Sequence, residues 1–138
     1  MSNVSESYRK LLLLMMHSKR HLMQIMDEMK MTPVQGMMLM MFEDGKGRSM
    51  HELSVLMGCD ASNVTGLVDR LDNQGLIERT VDENDRRVKM IKLSEKGEKC
   101  RAAVIKGLRE AEAADIAKLT EEERQWLIRI TEKIACSR

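Results

Sequence analysis

The stretch from Gly75 to Gly97 constrains the fold of this chain more than any other. Within it, two runs rich in apolar and β-branched residues, Leu76–Thr80 and Val88–Leu93, flank a polar segment of Asp, Glu and Asn that ends in Arg86 and Arg87. Strand-like runs around such a tip predict an antiparallel hairpin. Directly upstream, Ser49 to Gln74 reads as two helices separated by the break Gly58-Cys59-Asp60. A helix pair followed by a ribbon with a cationic tip is the layout of a winged helix. One helix of such a module can enter a DNA major groove while the ribbon reaches an adjoining minor groove, so duplex DNA is the expected partner.

Capping signals delimit the other elements. Glu6–Met29 is expected to be one long helix, because Met15, Leu22 and Met29 recur every seven residues and Leu11, Ile25 and Met26 widen the apolar face. Thr32-Pro33-Val34-Gln35 puts Thr at an N-cap, Pro at the first helical position and Gln three after the cap, opening a helix that should end near Glu43–Gly45. Ser49-Met50-His51-Glu52 is a second capping box. Asp60 suits the N-cap of the next helix, where Val64, Leu67, Val68 and Leu71 follow helical spacing, and Gly75 suits the left-handed residue after its end. The opposite face carries Ser62, Asn63, Thr65, Gly66 and Asp69, short side chains that let the backbone approach base edges and phosphates. Ser94 is placed to cap a long helix to about Lys118, and Thr120 to Glu123 opens a last helix bearing Leu127, Ile130, Thr131 and Ile134. Long amphipathic helices at both ends exceed what a winged helix needs, so their apolar surface is expected between two subunits. The fold class predicted is mainly α with a small β-wing. In this organisation a winged helix–turn–helix module over residues 33–93 is flanked by dimerisation helices over 1–30 and 94–138 of a single regulator chain.

The charge balance, 23 Lys and Arg against 22 Asp and Glu, is low for a DNA binder, whose non-specific affinity comes mainly from phosphate neutralisation. The basic surface must therefore be local. Arg86, Arg87, Lys89 and Lys92 fall in one stretch without an acid, while acids gather at 110–115 and 121–123. A near-neutral total also fits a second class, a winged helix used to bind another protein. The apolar runs Leu11–Met16 and Met37–Phe42 are far short of a membrane span and no secretory leader is legible, so a cytoplasmic protein with no membrane partner is expected. Cys59, Cys100 and Cys136 lie too far apart for a C-x-x-C site. His17 and His21 share a helix face at a spacing that can present two metal ligands, but no further ligand set is legible. No Gly-rich phosphate loop, nucleophile elbow or His-Glu-x-x-His pattern is present, so neither a catalytic site nor a cofactor or metal is expected. Fourteen methionines stand against one Trp, one Tyr and one Phe, and ten of them lie from Met15 to Met41. Such a region packs as a flexible core and can also reshape around varied apolar ligands.

The run Leu53 to Arg79, followed by Asp82-Glu83-Asn84-Asp85-Arg86-Arg87 and by Leu93-Ser94-Glu95-Lys96-Gly97, resembles the MarR family of winged-helix transcription regulators. Met31 to Gln35 is similar to that family's start of its second helix. Each piece is weak alone, since Val68-Asp69-Arg70-Leu71 is only an amphipathic fragment, but order and spacing agree over nearly the whole chain. The resemblance implies a homodimeric, sequence-specific regulator: a repressor on a pseudo-palindromic operator, relieved by a small aromatic or phenolic effector. It makes Asp60–Gln74 the recognition helix and Val81–Val88 the wing. It puts Arg87 in the minor groove, positioned by Asp85, with Asp69 paired to the same arginine and Arg86 and Lys89 on phosphates. The DNA-facing set is then Ala61, Ser62, Asn63, Thr65, Gly66, Asp69, Arg70, Asp85, Arg86, Arg87 and Lys89. A guanidinium in a narrow minor groove gains from its enhanced negative potential.

The same residue types also suit an exposed helix start and a solvated hairpin tip, so position rather than type carries the assignment. In the resembled family effectors bind between the dimer part and the DNA part. That directs attention to Met15 and Met38, with Arg20 or His21 meeting a carboxylate. An oxidant-responsive regulator is the alternative. The relatives that sense peroxide carry their cysteine in the first helix, which here has none. Only Cys59, beside a helix N-terminus that favours thiolate, could serve, and its plain reading is a small core hydrophobe.

Overall fold

The computed structural model describes residues 4–42 and 45–135, so Cys136 lies outside the described residues; the second helix, expected to end near Glu43–Gly45, already ends at Met40, with Met41 as its cap. Among the described residues the order is α1 (Glu6–Glu28), α2 (Pro33–Met40), β1 (Arg48–Ser49), α3 (Met50–Met57), α4 (Ala61–Asn73), β2 (Ile77–Val81), β3 (Lys89–Leu93), α5 (Glu95–Asp115), a 3-10 turn (Ile116–Lys118) and α6 (Glu121–Ala135). The expected caps form. Thr32 and Gln35 bond reciprocally at the start of α2, Ser49 and Glu52 at α3, and Thr120 and Glu123 at α6. Ser94 Oγ accepts from Gly97 N–H at 3.0 Å and starts α5. Gly58 and Gly75 end α3 and α4 with φ of 61° and 71°, a backbone region open to glycine at no steric cost.

The three strands form an antiparallel sheet in the order β1-β3-β2, with Arg79 opposite Ile91 and Thr80 opposite Met90. Both hairpin strands start one residue later than the apolar runs suggest. Leu76 spends its N–H on Leu71 O (2.9 Å), closing the end of α4, and its carbonyl accepts from Ser94 N (3.0 Å). Val88 is spent on the tip turn, donating to Asp85 O and accepting from Asp82 N. Strand β1 was not expected. Its two residues pair with Met90 and Ile91, too few to leave a periodic signal beside Gly45-Lys46-Gly47.

The chain divides into two compact units between Ile105 and Lys106. In the first, Met26, Met38, Leu39, Phe42, Leu53, Val64, Val68, Leu71 and Val104 are fully enclosed. Because Met26 belongs to α1 and Val104 to α5, the packed unit reaches beyond 33–93: the end of α1 and the start of α5 complete the core around the winged helix. The Met26 thioether lies directly against Gly36 of α2, filling the space a side chain would take. Gln35, the one buried polar residue among the described residues, spends its oxygen on the α2 cap and points its amide nitrogen at Gln74 Oε1 (3.5 Å).

No described residue of the second unit is buried. On α6, Trp126, Ile128, Ile130 and Ile134 are exposed, and along α1 so is the run Leu12–Met16. No described helix is long and apolar enough to cross a membrane.

Candidate nucleic-acid interface

Helix α4 is amphipathic in the sense a groove-reading helix requires. Val64, Leu67, Val68 and Leu71 are buried, whereas Ala61, Ser62, Asn63, Thr65, Asp69 and Arg70 are exposed and Gly66 is half-buried. The N-terminus of the helix is held by Asp60, whose Oδ1 accepts from Asn63 N–H and from Ser62 Oγ, both at 2.9 Å. The Asn63 amide, and after it the Ser62 hydroxyl, hold the Asp60 carboxyl below its ordinary range. Thr65 Oγ1 donates to Ala61 O at 2.8 Å, and the residue is exposed. Three of these side chains are thus oriented by local bonds before any partner arrives.

The hairpin tip is built by aspartates. Asp82 Oδ1 accepts from Asn84 N–H (2.7 Å), and Asp85 Oδ1 accepts from Arg87 N–H (3.0 Å). Asp85 therefore positions the backbone of Arg87, not its guanidinium. Arg86, Arg87 and Lys89 are exposed, and their side chains have no ion-pair partner among the described residues. Three uncompensated cations on a ribbon beside an exposed polar helix face make an anionic, groove-shaped partner the natural fit.

One expected contact is different. Asp69 does not pair with Arg87. It accepts from Arg79 Nη2 at 2.6 Å, and Arg79 Nε donates to Asp72 Oδ2 at 3.1 Å. The reason is reach: Arg79 leaves β2 next to the face of α4, while Arg87 sits at the far end of the hairpin. The bonds to Asp72 and then Asp69 hold the Arg79 guanidinium pKa above its ordinary value. Sequence reading missed Arg79 and Asp72. The available signal was the i, i+3 pair of acids on the exposed side of α4 facing a strand that carries one arginine.

The residues expected to hold an effector are not gathered in this way. Met38 is fully buried in the core, with no surface to offer a ligand, and Met15 stands exposed on α1 with Arg20. His21 is half-buried, its ring 4.6 Å from that of His17. A cavity that the sequence did not suggest, about 550 Å³, opens between α3 and the wing sheet, lined by Met50, Arg79, Thr80, Val81, Lys89, Met90 and Ile91. Cys59 is half-buried, its Sγ 3.4 Å from Met57 O.

Fold and surface together define a winged-helix DNA-binding protein, and the comparisons narrow the class. Residues 29–88 match the MarR family. The chain is 31% identical over 114 residues to the HTH-type transcriptional repressor MdtR of Bacillus subtilis, covering 83% of this chain and 74% of that one. It is 35% identical over 100 residues to the transcriptional repressor MprA of Escherichia coli, covering 65% of this chain and 56% of MprA. Among solved structures, the S. aureus MepR–DNA complex superposes with a TM-score of 0.79 at 26% identity, covering 99% of this chain and all of that one. CouR from Rhodococcus jostii bound to p-coumaroyl-CoA shares the fold, with a TM-score of 0.83 at 22% identity and coverage of 100% and 98%. The chain belongs to the MarR family. It is a DNA-binding transcription regulator, not an enzyme.

Proposed function

We propose that the chain acts as a homodimeric repressor that binds a pseudo-palindromic operator through two copies of α4 and releases it when a small aromatic or phenolic molecule binds. The observation that carries the DNA contact is the division of α4: one face is sealed in the core, while Ala61, Ser62, Asn63, Thr65, Gly66, Asp69 and Arg70 face outward, flanked by the unpaired cations Arg86, Arg87 and Lys89. A helix of this kind meets base edges with its N-terminal half, and the ribbon meets the neighbouring minor groove and phosphates. The dimer is supported by the apolar side chains that one chain leaves open on α1 and α6. Two-fold pairing covers such faces with a second copy of themselves. The repressor sign is supported by the relatives MdtR and MprA, both of which are repressors.

Selection of duplexes from a random pool tests the whole reading. Enriched sites should carry inverted half-sites about one helical turn apart, since two-fold-related helices must register with the same side of the duplex. Unenriched binding, or a single asymmetric half-site, would overturn it. For the effector, phenolic and aromatic acids should raise the melting temperature and weaken operator binding together, because a ligand favouring one dimer geometry stabilises it against both unfolding and DNA. Ligands that shift melting without changing DNA affinity would remove the regulatory half of the proposal. The cavity beneath the wing is roomy enough for such a molecule, and its lining is mostly apolar.

A further inference from the structure

One guanidinium holds the helix and the wing together. Asp69 and Asp72 lie three residues apart on α4 and therefore on one side of it, and Arg79 of β2 reaches both, with bonds of 2.6 Å and 3.1 Å. We propose that Arg79 is a positioning residue for DNA binding: its double bridge sets the angle between α4 and the hairpin, so that Arg86 and Arg87 meet their groove while α4 occupies its own. This rests on the reading in which the wing touches DNA.

The geometry needs such a tie. The chain joins α4 to β2 through the turn at Gln74-Gly75, and the root of the hairpin is fixed there by the Leu76–Leu71 and Ser94–Leu76 backbone bonds and by the burial of Ile77. Beyond the root, β2 runs five residues to Val81 before the tip begins. At about 3.4 Å per residue that is a lever of roughly 17 Å, and a tilt of about 10° moves its end by roughly 3 Å, more than a minor-groove contact tolerates. The bridge acts part-way along the lever. Arg79 pairs with Ile91 and Thr80 with Met90, the two residues that β1 already holds from the other edge of the sheet, so the bridge adds the tie to α4 on the β2 side.

All three side chains are about half exposed, at 47%, 56% and 44%, so the bridge adds little to the stability of the fold. Orientation is what a fork with two acceptors provides. The bridge also gives two acids a reason to stand on a helix that faces phosphates. Electrostatics alone would make each of them unfavourable for binding.

That conflict gives a test by sign. Operator affinity is measured by fluorescence anisotropy over a series of salt concentrations for Arg79→Gln, Asp72→Asn and Arg87→Ala, and for the first two combined with Arg87→Ala. Arg79→Gln should bind about three- to tenfold more weakly with an unchanged salt slope, the size expected for two partly screened bridges. Asp72→Asn removes a negative charge near DNA and should nevertheless weaken binding, by a smaller factor. In the Arg87→Ala background both losses should largely vanish, because a misplaced wing costs nothing once its contact is gone. Thermal melting controls for folding. The proposal is overturned if Asp72→Asn binds as tightly as wild type or more tightly, or if Arg79→Gln lowers the salt slope by about one, which would mark a direct phosphate contact. It is also overturned if the losses persist undiminished without Arg87, which would mark a general structural defect. Arg87→Ala with wild-type affinity would instead refute wing contact itself, and that single variant reports it separately.

Discussion

Two helical glycines should respond in opposite ways to the same added methyl group. Gly97 lies in the first turn of α5, and a Cβ built there would run into the backbone carbonyl oxygen of Leu76. That carbonyl cannot easily retreat. It accepts from Ser94 N at 3.0 Å, and its neighbour Gly75 is held by Ser94 Oγ at 2.6 Å. Helix propensity would favour Ala over Gly by at most about 1 kcal/mol. Against this stand roughly 1–3 kcal/mol for overpacking against backbone and about 1 kcal/mol for the strained hydrogen bond. Gly97→Ala should therefore destabilise the chain by about 1–3 kcal/mol. At Gly66, in the middle of α4, no atom lies within 4 Å of an added Cβ. Here the propensity term acts alone, and Gly66→Ala should stabilise by about 0.5–1 kcal/mol. Gly66 shares a helix face with Ser62, Asn63, Asp69 and Arg70, so the same methyl group would stand between α4 and the bases and weaken operator binding. Urea unfolding followed by helical circular dichroism, at one fixed protein concentration, measures the stabilities. Anisotropy on operator DNA measures the affinity. If Gly97→Ala is as stable as wild type, the close approach of α5 to the wing root is wrong. If Gly66→Ala gains stability and keeps full DNA affinity, Gly66 does not face DNA.

Three further outcomes follow from the same geometry. Arg87→Ala should weaken operator binding by about 1–3 kcal/mol and reduce the salt slope by about one while helical content stays constant; unchanged binding at fixed salt would refute minor-groove insertion. Asp60, held below its ordinary 3.8, stabilises the fold above that value and loses its contribution as pH falls through the lowered one. The stability gap between wild type and Asp60→Asn should therefore shrink on acidification from about pH 5 to pH 3, and a constant gap would show that the cap charge is idle. Deleting residues 120–138 removes Trp126, Ile128, Ile130 and Ile134 and should leave a monomer in sedimentation; a well-folded dimer would place the subunit contact elsewhere.

The parts of this molecule that were legible in the sequence are those written locally. Thr32 with Gln35, Ser49 with Glu52 and Thr120 with Glu123 announce helix starts through contacts three residues apart, and each pair bonds as its spacing implies. The buried stripe of α4 is likewise a matter of period, and its polar face follows by subtraction. What escaped was set by distant partners. Strand β1 exists because β3 offers Met90 and Ile91 to Arg48 and Ser49, and two residues carry no period. Met38 reads as an adaptable pocket residue by composition but is enclosed in the core, because a methionine run does not say which of its members faces inward.

Asp69 shows where the two kinds of information meet. Its place on the exposed face of α4 was legible from period alone, but its partner was not, because three arginines in the wing region, Arg79, Arg86 and Arg87, could in principle reach a helix acid. Only the hairpin register decides among them. With Arg79 opposite Ile91, the first arginine is carried past α4 while Arg86 and Arg87 are kept at the tip. The result sorts the cations by task. One is neutralised by two carboxylates and bound to the protein; the other two, with Lys89, remain unpaired among the described residues. A chain of net charge +1 can therefore still present a concentrated positive surface, provided its acids are spent on the arginine nearest the helix and not on those farthest from it.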